Sequence, residues 1–366
     1  MLEFPFMRFY FTGAYDPLYP RNAVLRRGLR EVGDEVVELR GSPRFRFWLR
    51  YPQLGWRASV AVDAAPSIFF VPEFCQKDVP LAHFLARVMG RPLVFDPLAA
   101  RYETKILDWR RQPPSSLQAW WNFRIDRWAF AWSDLILADT EAHKAYYCSA
   151  YGLKAEKVAV LPVGYDEALF DPDRSSGPDA DRPFTVFFCG SFLPLHGVEN
   201  IIEAARLVGR ADPAVRFVLV GSGQTFPRAR RLAEEYGLTN CEFRGWQPLE
   251  RIPAEYASAD IALGIFGTTE KARRVVPHKV YQALGMSRPV ITAATPAASE
   301  ILTDGETARL CGEPYGESLA AAILELKADQ ALRERLGTNG LRLVRERYAA
   351  KPTALRLKKI LAERFG

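Results

Sequence analysis

Short apolar runs recur along the chain with longer, helix-period segments between them, the pattern of parallel strands joined by crossover helices. In the first half the runs are Met7–Phe11, Val36–Arg40, Ser67–Pro72, Leu93–Asp96, Leu135–Ala138 and Val158–Pro162. Thr185–Cys189, Phe217–Gly221, Cys241–Arg244, Ile261–Ile265, Val290–Thr292 and Ala308–Leu310 follow in the second. Each is read as a strand. The intervening DPDRSSGPDADRP, at 171–183, is rich in turn formers and reads as a linker. The pattern predicts an α/β protein with two similar parallel-sheet domains, residues 1–175 and 183–349, joined over 176–182. The tail after Gly340 is helical in composition but interrupted at Pro352, which predicts two helices with a bend there. The last helix, 350–366, is expected to return to the first domain.

Several strands run through glycine into a helix, so ligands are expected at the carboxyl ends of the strands, in a cleft where the two domains face each other. The sharpest case is TVFFCGSFLPLHGVENIIEAARLV (185–208), where Val198, Ile201, Ile202 and Ala205 form the apolar stripe of a helix. Free N–H groups at a helix start carry partial positive charge, so the segment from Gly190 and Ser191 to His196 and Gly197 is a candidate phosphate loop. An ordinary strand-to-helix turn is the alternative. VRFVLVGSGQ (215–224) repeats the strand-to-glycine logic at Gly221 and Gly223. The segment 264–292 crowds Glu270, Lys271, Arg273, Arg274, His278, Lys279 and Gln282 between two strands. Pro277 suits a first helical turn, so a helix to Gly285 is expected, with His278 at its start and Gln282 about one turn further on. A solvated charged face explains Arg273 and Arg274 but not Lys279 and Gln282, which lie in an otherwise apolar helix. In the first half, MRFYFTGAYDPLYPRN (7–22) passes through Gly13 without forming a GxGxxG or Walker loop. Asp96 ends a buried strand, so its carboxylate is expected to face the cleft; a turn-forming aspartate before Pro97 is the competing reading.

Length and composition agree with this picture: 366 residues correspond to about two domains of ordinary size. With 48% apolar, 25% charged and 12% aromatic residues, a disordered or collagen-like chain is excluded. The five cysteines form no CxxC pair, so neither a disulfide framework nor a zinc site is suggested. No window holds 18 consecutive apolar residues and the start lacks the order of a secretory signal, so a cytoplasmic location is expected. The net charge of +6 comes without a lysine-rich tract, which disfavours nucleic acid as a partner.

These motifs together resemble the GT-B-fold glycosyltransferases, the large retaining group that includes glycogen and sucrose synthases and bacterial mannosyl- and glucosyltransferases of the family 4 type. SDLILADTEAHKAYYCSAYGLKAEKVAVLPVGYDEALFDP (133–172) is similar to the segment closing that family's first domain. CGSFLPLHGVENIIEAA resembles its phosphate loop, and HKVYQALGMSRPVITAATPAASEIL (278–302) its nucleotide and sugar segment. The resemblance implies two Rossmann-like domains, transfer of a sugar from a nucleotide-diphosphate sugar to a hydroxyl acceptor with retention, and no cofactor or bound metal. It implies the nucleotide on the C-terminal domain and the acceptor, a saccharide or a lipid-linked one, on the N-terminal domain. The donor-binding set it implies takes in Trp246, His278 and Val280 beside the loop glycines, Lys271, Lys279 and Gln282. Two departures matter. Ser191 and His196 stand where the family has a diphosphate-binding arginine and lysine, and Gln282 and Arg274 where it has two glutamates. Lys271, Lys279 and the helix start are then expected to supply the positive charge, with His196 offering an N–H and titrating toward a second charge as anion binds. Glu270 becomes the substitute for the sugar contact, and Asp96 and Glu270 are the catalytic candidates. The alternatives are a sugar-nucleotide epimerase of the same fold and a catalytically weak nucleotide-binding scaffold, made plausible by the replaced positions.

From Arg40 to Arg57 there are five arginines and no acidic residue, interleaved with aromatics. Arg44, Arg46, Trp48, Arg50 and Trp56 are therefore candidates for an acceptor site or an anionic membrane surface, with LQAWWNFRIDRWAFAW (117–132) a second aromatic stretch. Peripheral attachment to the inner face of the cell membrane is the expectation that follows, against a buried helix or a saccharide-stacking loop.

Overall fold

The computed structural model describes residues 5–42, 44, 47–61, 65–174 and 182–366, and places the apolar runs in two six-stranded parallel sheets. The chain divides into two compact units, residues 1–162 with 349–366, and residues 163–348.

The first unit runs β1 (Arg8–Gly13), α1 (Pro20–Glu31), β2 (Glu35–Arg40), α2 (Phe47–Ala61), β3 (Ser67–Val71), α3 (Val79–Val88), β4 (Leu93–Phe95), α4 (Leu117–Trp132), β5 (Leu135–Ala138), α5 (Glu141–Tyr151) and β6 (Val158–Val160). The sheet order is β2-β1-β3-β4-β5-β6. Because right-handed crossovers from β2 to β3, β3 to β4 and β4 to β5 all step the same way, α2, α3 and α4 lie side by side on one face, and α1, stepping back, on the other. Buried on both faces, the central strands are largely apolar: every residue of Ser67–Val71 is covered, and all but Ser67 are apolar.

The second unit contains β7 (Thr185–Cys189), α6 (Val198–Ala211), β8 (Arg216–Val220), α7 (Phe226–Glu235), β9 (Cys241–Arg244), α8 (Ile252–Ala257), β10 (Ile261–Leu263), α9 (His278–Gly285), β11 (Val290–Ala293), α10 (Pro296–Ile301), β12 (Arg309–Cys311), α11 (Tyr315–Ala328) and α12 (Gln330–Arg347). Its order, β12-β11-β10-β7-β8-β9, puts β10 and β7 at the centre.

Two boundaries differ from those the sequence suggests. The division falls at Pro162/Val163 rather than in 176–182, because Tyr165 N donates to Tyr348 O (2.9 Å) and the Tyr165 ring occupies the space that Gly285 leaves without a Cβ, both within the second unit. The tail breaks at Tyr348–Ala349, and α13 (Ala350–Phe365) begins before Pro352, since the missing N–H of a proline is tolerated in a first helical turn. α13 joins the first unit beside α1. A Cβ on Gly28 of α1 would stand 2.0 Å from Ala350 O, and Lys358 Nζ is 2.6 Å from the buried carboxylate of Asp34.

Candidate functional site

At the carboxyl end of the second sheet, β7 passes through Gly190 into a loop that closes with a 3-10 turn, Pro194–His196, and enters α6. Leu193 N donates to His196 Nδ1 (3.3 Å), so the neutral ring carries its proton on Nε2. Gly197 (φ +59°) starts α6 with no side-chain cap, leaving the first N–H groups of the helix without a side-chain acceptor. Beneath the loop the turn after β8 presses against it. A Cβ on Gly221 would be 1.9 Å from Gly190 O and one on Gly223 1.7 Å from Ser191 O, and both residues have positive φ (+122° and +157°). Only glycine fits there.

Lys279, on the first turn of α9, points under this loop. Its Nζ would be 2.4 Å from a Cβ on Gly190, and His196 Cε1 3.0 Å from the same point. The ammonium lies 3.9 Å from the centroid of the Phe188 ring, is buried, and has no hydrogen-bond partner among the described residues. Burial lowers its pKa to about 7, opposed only by the Cys189 thiol. Burial, then Lys279 and Lys271, push His196 well below the ordinary histidine value. No carboxylate contributes to either shift. Lys279, without a hydrogen-bond partner, the buried Lys271 near it and the uncapped start of α6 therefore gather positive charge around the loop, the electrostatic complement of a polyanion. With no anion bound, burial first and the two lysines second hold His196 in its neutral form, while burial brings Lys279 down to about 7.

Val280 and Gln282 are buried on the same helix, and His278 is half-buried at its start. Glu270 is not drawn into the cluster; it is exposed and its Oε2 accepts from Arg274 Nη2 at 3.0 Å. Trp246 stands 71% exposed beyond β9.

In the first unit Gly13 closes β1 against Cys75, whose Sγ would be 3.0 Å from a Cβ there. Asp96 is fully buried, and Arg21 Nε donates to its Oδ2 at 2.5 Å while the other guanidinium nitrogens donate to Leu161 O and Pro162 O. Its expected exposure to a cleft is thus corrected; an enclosed carboxylate has to be paired, and Arg21 is the pair. Arg50 is corrected likewise. Its guanidinium clamps both oxygens of Asp78 at 2.8 Å, so it ties α2 to the start of α3 rather than serving an outer surface. Arg44, Trp48 and Trp56 are exposed, and Arg46 lies outside the described residues.

Two family models match the chain, "Glycosyl transferases group 1" over residues 170–342 and "Glycosyl transferase 4-like domain" over residues 10–164. The chain belongs to the GT-B glycosyltransferases of the family 4 type. It is 28% identical over 236 residues to a D-inositol 3-phosphate glycosyltransferase of Thermomonospora curvata, an alignment covering 59% of this chain and 54% of that one. A GDP-mannose-dependent alpha-(1-6)-phosphatidylinositol monomannoside mannosyltransferase of Mycolicibacterium smegmatis is 24% identical, with 63% of each chain covered. The chain thus spans about half to two-thirds of the length of these relatives. The solved structure of HepE of Anabaena in complex with UDP and glucose superposes with a TM-score of 0.70 over 98% of this chain and 99% of that one, at 17% identity, and shares the fold.

This family member also holds polar residues that the motifs do not reveal. Asn22 Nδ2 donates to Glu73 Oε1 (2.6 Å), and burial, with Asp96 adding, pushes Glu73 up to about 9, so it is a neutral acid at pH 7. His143 is enclosed between Asp139 (2.5 Å) and Glu103 (3.0 Å); against burial, those carboxylates raise it to about 9. Glu73, Asp96 and Asp139 each follow a strand end, and strand-end acids were the one available signal.

Proposed function

We propose that the protein transfers a sugar from a nucleotide-diphosphate sugar to a hydroxyl acceptor, with the second unit holding the donor and the first the acceptor. The observation that carries this reading is Lys279: a buried ammonium without a hydrogen-bond partner, directly under Gly190 and beside the uncapped start of α6. A bound diphosphate supplies the missing counter-charge, accepting from Lys279 Nζ, His196 Nε2 and the first N–H groups of α6. Gln282 is the candidate for a ribose hydroxyl. The bond from the anomeric carbon to the diphosphate oxygen breaks, the bond to the acceptor oxygen forms on the same face, and the acceptor proton passes to the departing diphosphate. Retention is the family's stereochemical expectation. The relatives named for an inositol phosphate and a phosphatidylinositol mannoside support a polyol or lipid-linked saccharide as acceptor.

The test is a panel of nucleoside diphosphates and their sugars, read by thermal stabilisation and by product analysis. At least one diphosphate is expected to stabilise the protein, and Lys279→Met to weaken it roughly ten- to a hundredfold, the loss of one charged hydrogen bond. Release of diphosphate with a new glycoside supports transfer. A rearranged sugar still on its nucleotide identifies an epimerase, binding without turnover identifies a scaffold, and unchanged affinity in a folded Lys279→Met protein refutes the site.

A further inference from the structure

Three helices of the first unit present apolar side chains outward. On α2, Trp48, Leu49, Trp56 and Val60 are 50–71% exposed and recur at helical spacing on one side. On α3, Phe84 and Val88 are 61% and 68% exposed. On α4, Leu117, Trp120, Trp121 and Trp132 are 39–79% exposed. α3 lies between the other two, with His83 Nδ1 2.7 Å from Trp132 O, so these patches belong to one helical layer on one face of the sheet. The two aromatic stretches of the sequence are therefore neighbours of a third helix that no sequence pattern linked to them.

The charge of this layer is one-sided. From residue 41 to residue 133 every described acidic side chain is buried: Glu73, Asp78, Asp96, Glu103, Asp108 and Asp126. Arg44, Arg87 and Arg127 are exposed, and the Arg124 guanidinium lies over the Trp120 and Trp128 rings. A mixed water-facing surface intersperses both signs. Here cations and indole rings stand together with no exposed carboxylate among the described residues. We infer that the outer face of α2, α3 and α4 docks on an anionic lipid bilayer, its aromatic rings at the headgroup boundary and its arginines on lipid phosphates. None of the described helices is long and apolar enough to cross a membrane, so the layer lies on the surface. Docking serves the proposed transfer by bringing the first unit to a membrane-proximal acceptor, and it rests on that reading only for this purpose.

The test is co-sedimentation of the full chain with vesicles of phosphatidylglycerol and phosphatidylcholine in equal parts, and of phosphatidylcholine alone, at low and high salt. Binding is expected to the anionic vesicles at low salt and to fall with salt. Arg87→Glu with Arg124→Glu is expected to weaken it tenfold or more, since each basic residue near such a surface contributes about a factor of five. Phe84→Ser with Trp120→Ser, both exposed, is expected to weaken it at either salt. Absence of binding at low salt, binding unaffected by both double variants, or a concentration-dependent dimer that Phe84→Ser with Trp120→Ser dissolves would each overturn the inference, the last in favour of a second copy on this face. Nucleotide stabilisation, measured in the same samples, reports the transferase reading separately: vesicle binding can fail while it persists, and the reverse.

Discussion

Lys279 has a folded pKa of about 7 against 10.5 for an ordinary lysine. Between those values the unfolded chain holds a proton that the folded chain lacks, so the residue destabilises the fold progressively as pH falls from 10.5 to 7, and by a constant few kcal/mol below that. Lys279→Met should therefore raise the stability of the second unit at neutral pH. Diphosphate favours the ammonium, so binding at about pH 8 takes up protons, and affinity rises as pH falls toward 7. Calorimetry in two buffers of different ionisation enthalpy reads this directly; a binding enthalpy independent of buffer, or one that Lys279→Met leaves buffer-dependent, counts against it. His143 has the opposite sign. Its pKa, raised from 6.5 to about 9, makes a stabilising contribution that is complete below about 6.5 and is lost as pH rises through 9. Seven of the eight tryptophans, all but Trp246, lie in the first unit, so their fluorescence during urea unfolding follows that unit. His143→Gln should cost about 2–3 kcal/mol at pH 6 and much less at pH 10. Glu73 adds a loss of the same sign, so the difference between the two proteins, rather than the slope of either, reports the histidine.

The loop between β7 and α6 depends on the turn after β8, and glycines mark where the two backbones meet. Gly221→Ala brings a Cβ to 1.9 Å from Gly190 O at a φ of +122°, so the loop has to shift. A loss of roughly 2 kcal/mol or more and weakened diphosphate binding are expected, read by thermal unfolding with and without nucleotide. Gly245→Ala, with nothing within 4 Å of the added carbon and no positive φ, is the control and should change neither by more than about 0.5 kcal/mol. A Gly221→Ala protein that binds and melts like the parent would separate the loop from the turn. At this scale the sequence was informative: the α9 helix is read from Pro277, Lys279 and Gln282, and the glycine turns from the strands that precede them.

α13 is the last segment of the chain, yet it belongs to the first unit, where Leu357 and Leu361 are fully buried beside α1. Ending the chain at Tyr348 removes both side chains and the Lys358–Asp34 pair. Each leucine alone is worth about 2–5 kcal/mol. The first unit should therefore unfold at a much lower temperature by tryptophan fluorescence, while nucleotide binding by the second unit survives; loss of both together would refute the division. The twelve strands, the helices between them and the strand-loop-helix passage from β7 to α6 were legible because their signals are local: apolar periodicity, glycine after a strand, proline at a helix start. What joins distant segments was not. Arg21 meets Asp96 across 75 positions and Arg50 meets Asp78 across 28, and no spacing rule encodes either pairing. Two residues that read as catalytic or surface-facing are thereby enclosed as ion pairs. The same long-range packing buries Lys279 beneath Gly190 and sets α3 between the two aromatic helices. The sequence by itself determined which elements form and which residue types reach the strand ends. Only the tertiary structure decided which of those charges are neutralised, because neutralisation depends on neighbours that the chain brings together from far along its length.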